Sequence, residues 1–141
     1  LYSPDLKSPE PPIFGRTPEE AGVIMRVICE FEAYAEEQLM KIVRAVFDTG
    51  VNEDNLGELT RAMLAAASEA RTIEGRLSKG DWIVGDDYSA ADIVVYPAIK
   101  VLLPALRRPV EVNYPSLGRW LARVEALPGF DRTFPPHWGR D

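Results

Sequence analysis

The sequence of 141 residues contains a single cysteine, Cys29, and a single histidine, His137. One cysteine excludes an internal disulfide framework. Basic side chains are also few, because 16 lysines and arginines stand against 22 aspartates and glutamates, which gives a formal net charge of -6. The longest basic cluster is Arg107-Arg108. We therefore expect neither nucleic acid nor an anionic membrane surface as a direct partner.

Two further features are missing: a charged-then-apolar leader and a long apolar run. The missing leader and the lone cysteine together predict a reducing compartment, the cytoplasm. The longest apolar run, residues 93–106, is shorter than the ~20 residues that a membrane-spanning helix needs, and it contains Pro97, Lys100 and Pro104. This run is predicted to be a buried core helix.

Apolar and polar residues alternate nowhere along the chain, so the sequence predicts no sheet. The chain begins at Leu1, and five of its first 18 residues are prolines. We therefore expect residues 1–16 to be a proline-rich interdomain linker cut from a longer protein. A helical domain, residues 17–130, and an irregular tail, residues 131–141, are expected to follow.

Helical periodicity dominates the remainder. Residues 18–47 are predicted to form one long helix, and a second helix carries apolar residues at steps of three and four from Leu56 to Leu77. Its many alanines are expected to let a neighbouring backbone approach closely. The two long helices are predicted to pack antiparallel, followed by a buried, capped helix and one further helix. The predicted fold class is all-α.

The capped helix begins in GDDYSAADIVVYPAIK, residues 85–100. Ser89 and Asp92 have the spacing of a capping box, in which the serine hydroxyl accepts from the N–H of Asp92 and the carboxylate accepts from the N–H of Ser89. Tyr88 and Ile93 occupy the two positions of a hydrophobic staple. A buried helix needs such a cap because water does not reach its first turn.

A catalytic interpretation of the same residues is weaker. A serine nucleophile at Ser89 requires a base, and the one histidine, His137, lies in the tail. Asp86, Asp87 and Asp92 lack the ordered spacing and the bidentate glutamate of a calcium loop. We therefore predict a structural cap and no metal site.

Two segments carry a resemblance to a known family. WIVGDDYSAADIVVYPAI resembles the capping-box and staple segment of the glutathione S-transferase C-terminal domain, and YPSLGRWLARVEALPGF resembles the next helix of that family. The match spans residues 16–130. It implies that the thioredoxin-like N-terminal domain, which binds glutathione and activates its thiol, is absent from this chain. The resemblance thus implies no catalytic residue here, no cofactor bound by this chain alone, and an inactive fragment.

In the resembled family, the helical half supplies one wall of the electrophile pocket and much of the dimer contact. We expect Met25, Cys29, Ala33 and Met40 to form that wall, because soft apolar side chains accommodate varied hydrophobic substrates. Ordinary packing against a neighbouring helix is the alternative. Trp138 is expected either to fold over the pocket or to cover the end of the helical core.

Two functions follow from the resemblance. The first is a cytoplasmic, homodimeric glutathione transferase that conjugates its cosubstrate glutathione to a small hydrophobic electrophile, a detoxification reaction. The second is a non-catalytic interaction or assembly module built on the same helical domain.

Overall fold

The computed structural model describes residues 12–102 and 109–133 of the chain. Within these residues every regular element is helical, which confirms the predicted all-α fold. The α-helices are α1 (Pro18–Phe31), α2 (Glu37–Arg44), α3 (Leu56–Leu77), α4 (Ala90–Leu102), α5 (Val110–Asn113), α6 (Pro115–Glu125) and α7 (Phe130–Thr133). No helix in these two ranges is long and apolar enough to cross a membrane.

The first predicted helix is a continuous helical run over residues 18–49, here called the N-terminal helical run. Two π-helical segments, Glu32–Glu36 and Ala45–Thr49, interrupt its α-helical geometry. The run begins where the Thr17 hydroxyl accepts from the N–H of Glu20 at 3.1 Å. It ends at Gly50, whose φ of 75° favours glycine. The run is two residues longer than predicted.

Apolar residues at helical spacing form a stripe along this run, and its members from Ile24 to Ile42 are buried. At its end Ala45 is buried, whereas Val46 is 45% exposed and lines a cavity. The run packs against α3. Lys41 pairs with Glu58 of α3 at 3.6 Å, while Glu30 lies close enough to Glu69 for their charges to interact. Because later residues of the run meet earlier residues of α3, the two are antiparallel, as predicted.

Helix α4 lies at the centre of the bundle and packs against α1, α2 and α6. Ala91 and Val95 are completely buried, and Pro97 lies inside the helix on an exposed face. At its far end, Lys100 and Tyr96 both bond the Glu125 carboxylate of α6, at 2.6 and 2.8 Å. α4 is therefore attached to α6 by polar contacts as well as by apolar packing.

The predicted linker is attached to the bundle in its described part, residues 12–16. The carbonyl of Ile13 accepts from the N–H of Ala90 at 2.8 Å, and Arg16 pairs with Asp87 at 2.6 Å. The predicted domain boundaries stay a prediction. The start of the predicted irregular tail is instead the short helix α7, because the chain turns at Gly129 and the N–H of Arg132 bonds the carbonyl of Gly129 at 3.0 Å.

Candidate functional site

The N-terminus of α4 contains the two polar residues that the sequence singles out. Ser89 and Asp92 are only 3% and 2% exposed. The Asp92 carboxylate accepts from the N–H of Ser89 at 2.9 Å, which is the predicted half of the capping box. The Ser89 hydroxyl accepts from the N–H of Ala91 at 3.2 Å, one residue earlier than predicted. The reciprocal cap is present with this change of donor.

Two further donors converge on the same carboxylate. The other oxygen of Asp92, Oδ1, accepts from the backbone N–H of Ile83 at 3.1 Å and from the indole Nε1–H of Trp120 at 2.8 Å. Sequence reasoning missed both partners. A buried tryptophan generally needs an acceptor for its N–H, so the inner-face position of Trp120 was a usable signal. Asp92 thus joins the connector before α4, the first turn of α4, and α6.

Burial raises the pKa of Asp92, and the hydrogen bonds from Ser89, Ile83 and Trp120 oppose that rise by stabilising the carboxylate. This arrangement suits a structural anchor. Ser89 has almost no exposed surface from which to attack a substrate, and His137 lies outside the described residues. The structure supports the structural interpretation of this pair.

Two carboxylates at the entry to α4 are occupied by protein partners. Asp87 is paired with Arg16, and Asp92 is saturated by N–H donors. Across residues 12–102 and 109–133 no group of three His, Cys, Asp or Glu side chains could hold a metal ion.

The entry to α4 is braced by aromatic packing. Tyr88 packs edge-on against Trp82 with ring centroids 5.8 Å apart, and the Arg123 guanidinium lies 5.9 Å from the Trp82 ring centroid. Ile93, the other predicted staple residue, is 51% exposed. A staple contact between Tyr88 and Ile93 stays a prediction.

The residues predicted for the pocket wall lie on the exposed side of the N-terminal helical run. Met25, Cys29, Ala33 and Met40 are all exposed, Met25 by 48% and Met40 by 37%. The Cys29 thiol is free. Their exposure leaves a soft, apolar face available to another domain. Trp138, the fifth predicted residue, lies outside the described residues.

A cavity of about 490 Å³ lies on the other side of the run. None of the four residues of the predicted wall lines it. The predicted wall and this cavity are therefore separate features of the bundle.

The paired helices also expose large apolar side chains. Tyr34, Phe47 and Leu64 are each more than half exposed, on the N-terminal helical run and on α3. Exposed apolar groups of this size are typical of surfaces that associate with another protein surface.

Comparison with known proteins gives one family match. The model of the glutathione S-transferase C-terminal domain matches residues 32–128. No curated protein matches the chain.

Several solved structures share the fold. The glutathione S-transferase from Pseudomonas fluorescens Pf-5 superposes with a TM-score of 0.76 at 20% identity, covering 82% of this chain and 57% of that protein. The glutathione S-transferase from Xanthobacter autotrophicus Py2 superposes with a TM-score of 0.73 at 15% identity, covering 87% of this chain and 62% of that protein. The class Gtt2 glutathione S-transferase of Vibrio parahaemolyticus superposes with a TM-score of 0.68 at 24% identity, covering 84% of this chain and 54% of that protein.

Identities of 15 to 24% show a common fold. The chain spans only 54 to 62% of the length of these three structures. The part that they share with this chain is the helical bundle, and each of them contains more protein beyond it.

Proposed function

Because the chain belongs to the family of glutathione S-transferase C-terminal domains, we propose that it is the helical half of a glutathione transferase. The full-length protein would join the sulfur of glutathione to a hydrophobic electrophile. The observation that carries this proposal is the family match over residues 32–128 on a bundle with the same fold. Glutathione is then the cosubstrate of the full-length protein.

The proposed chemistry divides between two domains. A thioredoxin-like N-terminal domain, expected upstream of Leu1, binds glutathione and lowers the pKa of its thiol. The helical chain binds the electrophile beside the resulting thiolate, and the gain in rate comes from bringing the two reactants together in a site that excludes water. The isolated chain is proposed to be inactive, because the group that activates the thiol lies on the other domain.

The proposed electrophile wall is the exposed flank that contains Met25, Cys29, Ala33 and Met40. Its exposure supports the proposal, because a wall between two domains is uncovered in a chain that contains one of them. Thioether and thiol side chains are polarizable and adapt to varied apolar shapes. Trp138 is proposed to complete the pocket from the tail.

Homodimerisation is proposed to use the N-terminal helical run and α3. These helices expose Tyr34, Phe47 and Leu64, which would be removed from water by a second copy. The proposed setting is the cytoplasm, and the proposed role is detoxification of the electrophile.

The test uses the full-length protein. Retention on immobilised glutathione, followed by turnover of a generic aryl halide, is the expected result. In that protein, Met25→Glu is expected to raise KM for the aryl halide severalfold and to leave KM for glutathione unchanged, since a charge in the wall disfavours an apolar substrate. Val112→Glu, at an exposed site on α5 outside the proposed wall, is the matched control.

Absence of turnover in a folded, full-length protein would overturn the transferase proposal. The alternative is a non-catalytic interaction or assembly module, and the exposed apolar side chains on the paired helices favour it equally well. A stable complex with another protein in the absence of any glutathione-dependent activity would support that alternative.

A further inference from the structure

The cavity of about 490 Å³ lies along the buried side of the N-terminal helical run. Its lining includes Phe31, Leu39 and Val46 of the run. These residues span 15 positions, about 22 Å of α-helix. Val46 and Met63 are 45% and 59% exposed, whereas Phe31 is 2% exposed. The space is therefore a long groove that reaches the protein surface at Val46 and at Met63.

The groove exists because α3 carries small side chains where it faces the run. Ala62 is completely buried, as close packing predicts, but Ala66, Ala67 and Ala70 line the cavity. At these three alanines the small side chains also leave space beside the run. The volume falls within the range of about 300–1,000 Å³ that is usual for small-molecule sites.

Among the described residues that line the groove, Glu69 is the one with a charged side chain, while Asn113 and Tyr114 provide an amide and a phenol. The Glu69 carboxylate is half-buried and has no hydrogen bond or ion pair to any residue in the described ranges. Burial and the nearby charge of Glu30 raise the pKa of Glu69, and the charge of Arg76 opposes that rise. Within residues 12–102 and 109–133 no cationic side chain bonds this carboxylate, so a bound cation in the cavity would stabilise its charged form.

We propose that this groove binds a small apolar molecule that carries one ammonium group. The ammonium pairs with Glu69, and the apolar part extends past Leu39 toward Val46. The chemistry selects a cation, because Glu30 and Glu69 repel an anionic head group and the chain as a whole carries a net charge of -6. A single charged residue in an otherwise largely apolar lining selects one charged group and a hydrocarbon body.

This site is separate from the proposed electrophile wall. The wall residues Met25, Cys29, Ala33 and Met40 lie outside the lining, and binding in the groove involves no glutathione. The inference therefore stands or falls independently of transferase activity.

The experiment measures binding to the 141-residue chain by titration calorimetry, with three probes of one chain length: decylamine, 1-decanol and decanoate. We expect decylamine to bind most tightly and decanoate most weakly. Glu69→Gln is expected to lower the affinity for decylamine about tenfold, because a charged hydrogen bond becomes a neutral one. The same variant is expected to change decanol affinity less than twofold.

The matched control for charge is Glu53→Gln, which removes one negative charge from an exposed turn outside the lining. This variant is expected to leave all three affinities unchanged. Equal effects of Glu53→Gln and Glu69→Gln on decylamine would overturn the proposal, since net charge rather than the groove would then attract the amine.

Filling the groove provides a second test. Ala70→Leu places a larger apolar side chain in the lining. It is expected to lower the affinities for decylamine and for decanol at least tenfold each and to leave the helical circular dichroism spectrum unchanged. Undiminished affinity in this folded variant would overturn the proposal. So would a dimer of the parent chain that dissociates in Ala70→Leu, because the groove would then bind a second copy of the chain.

Discussion

The indole N–H of Trp120 donates to Oδ1 of Asp92 at 2.8 Å, joining two completely buried side chains that are 28 positions apart. Asp92 caps the first turn of α4, and Trp120 lies on α6. Through this bond a local helix cap becomes a contact between helices. Loss of the cap is therefore expected to destabilise the contact between α4 and α6 as well as the first turn of α4.

Asp92→Ala is expected to lower the free energy of unfolding by about 3 kcal/mol or more, because it leaves the buried N–H groups of Ser89, Ile83 and Trp120 without an acceptor. Urea unfolding measures the change. Asp86→Ala, in the exposed part of the same loop, is the control and is expected to stay within about 0.5 kcal/mol of the parent. Equal stabilities for the two variants would contradict the capping account.

Trp120→Phe is expected to lower the free energy of unfolding by about 2 kcal/mol, since it removes the indole N–H and part of a completely buried ring. A double-mutant cycle with Asp92→Ala separates the two contributions. A coupling energy of about 1 kcal/mol is expected from the shared hydrogen bond. Strict additivity of the two changes would show that the bond contributes nothing to stability.

Glu74 of α3 caps the N-terminus of α6. Its carboxylate accepts from the backbone N–H of Ser116 at 2.9 Å and of Leu117 at 2.7 Å. Glu74→Ala is expected to destabilise the chain by about 1–2 kcal/mol, because two helix-end donors lose a charged acceptor. Glu58→Ala, which breaks only an exposed pair with Lys41, is expected to cost less than about 0.5 kcal/mol in the same urea experiment. A larger cost for Glu58→Ala would contradict this assignment.

The sequence was sufficient for features that depend on neighbours along the chain. The cap at Ser89 and Asp92 depends on two residues three positions apart, and the helix α6 depends on the short segment that contains it. The antiparallel pairing of the N-terminal helical run with α3 followed from two long amphipathic segments joined by a short break.

Features that depend on distant residues were not predictable. The donors from Ile83 and Trp120 reach Asp92 over 9 and 28 positions. Periodicity assigns Ala66 and Ala70 to a buried face, yet whether such a face meets a backbone or a cavity depends on the side chains opposite. The two π-helical segments have no sequence signature that a fixed step of 100° per residue detects.

Tyr96 provides a test at alkaline pH. Burial and the neighbouring carboxylate of Glu125, which also pairs with Lys100, raise the pKa of Tyr96 well above 10.0. Because the folded pKa exceeds the unfolded one, the resulting stability is fully present below pH 10 and is lost as pH rises toward the folded pKa. Above pH 10 the unfolded chain releases a proton that the folded chain retains, so stability falls by up to about 1.4 kcal/mol per pH unit.

Tyr96→Phe is expected to remove this share of the alkaline decline, while costing about 1 kcal/mol at pH 7 through the lost hydrogen bond to Glu125. Urea midpoints between pH 8 and pH 11.5 measure both effects. Tyr34→Phe, at a position 66% exposed, is the matched control and is expected to leave the slope unchanged. Parallel declines in the parent chain and in Tyr96→Phe would mean that Tyr96 ionises as readily in the folded bundle as in the unfolded chain, and the buried bond to Glu125 would then contribute no pH-dependent stability.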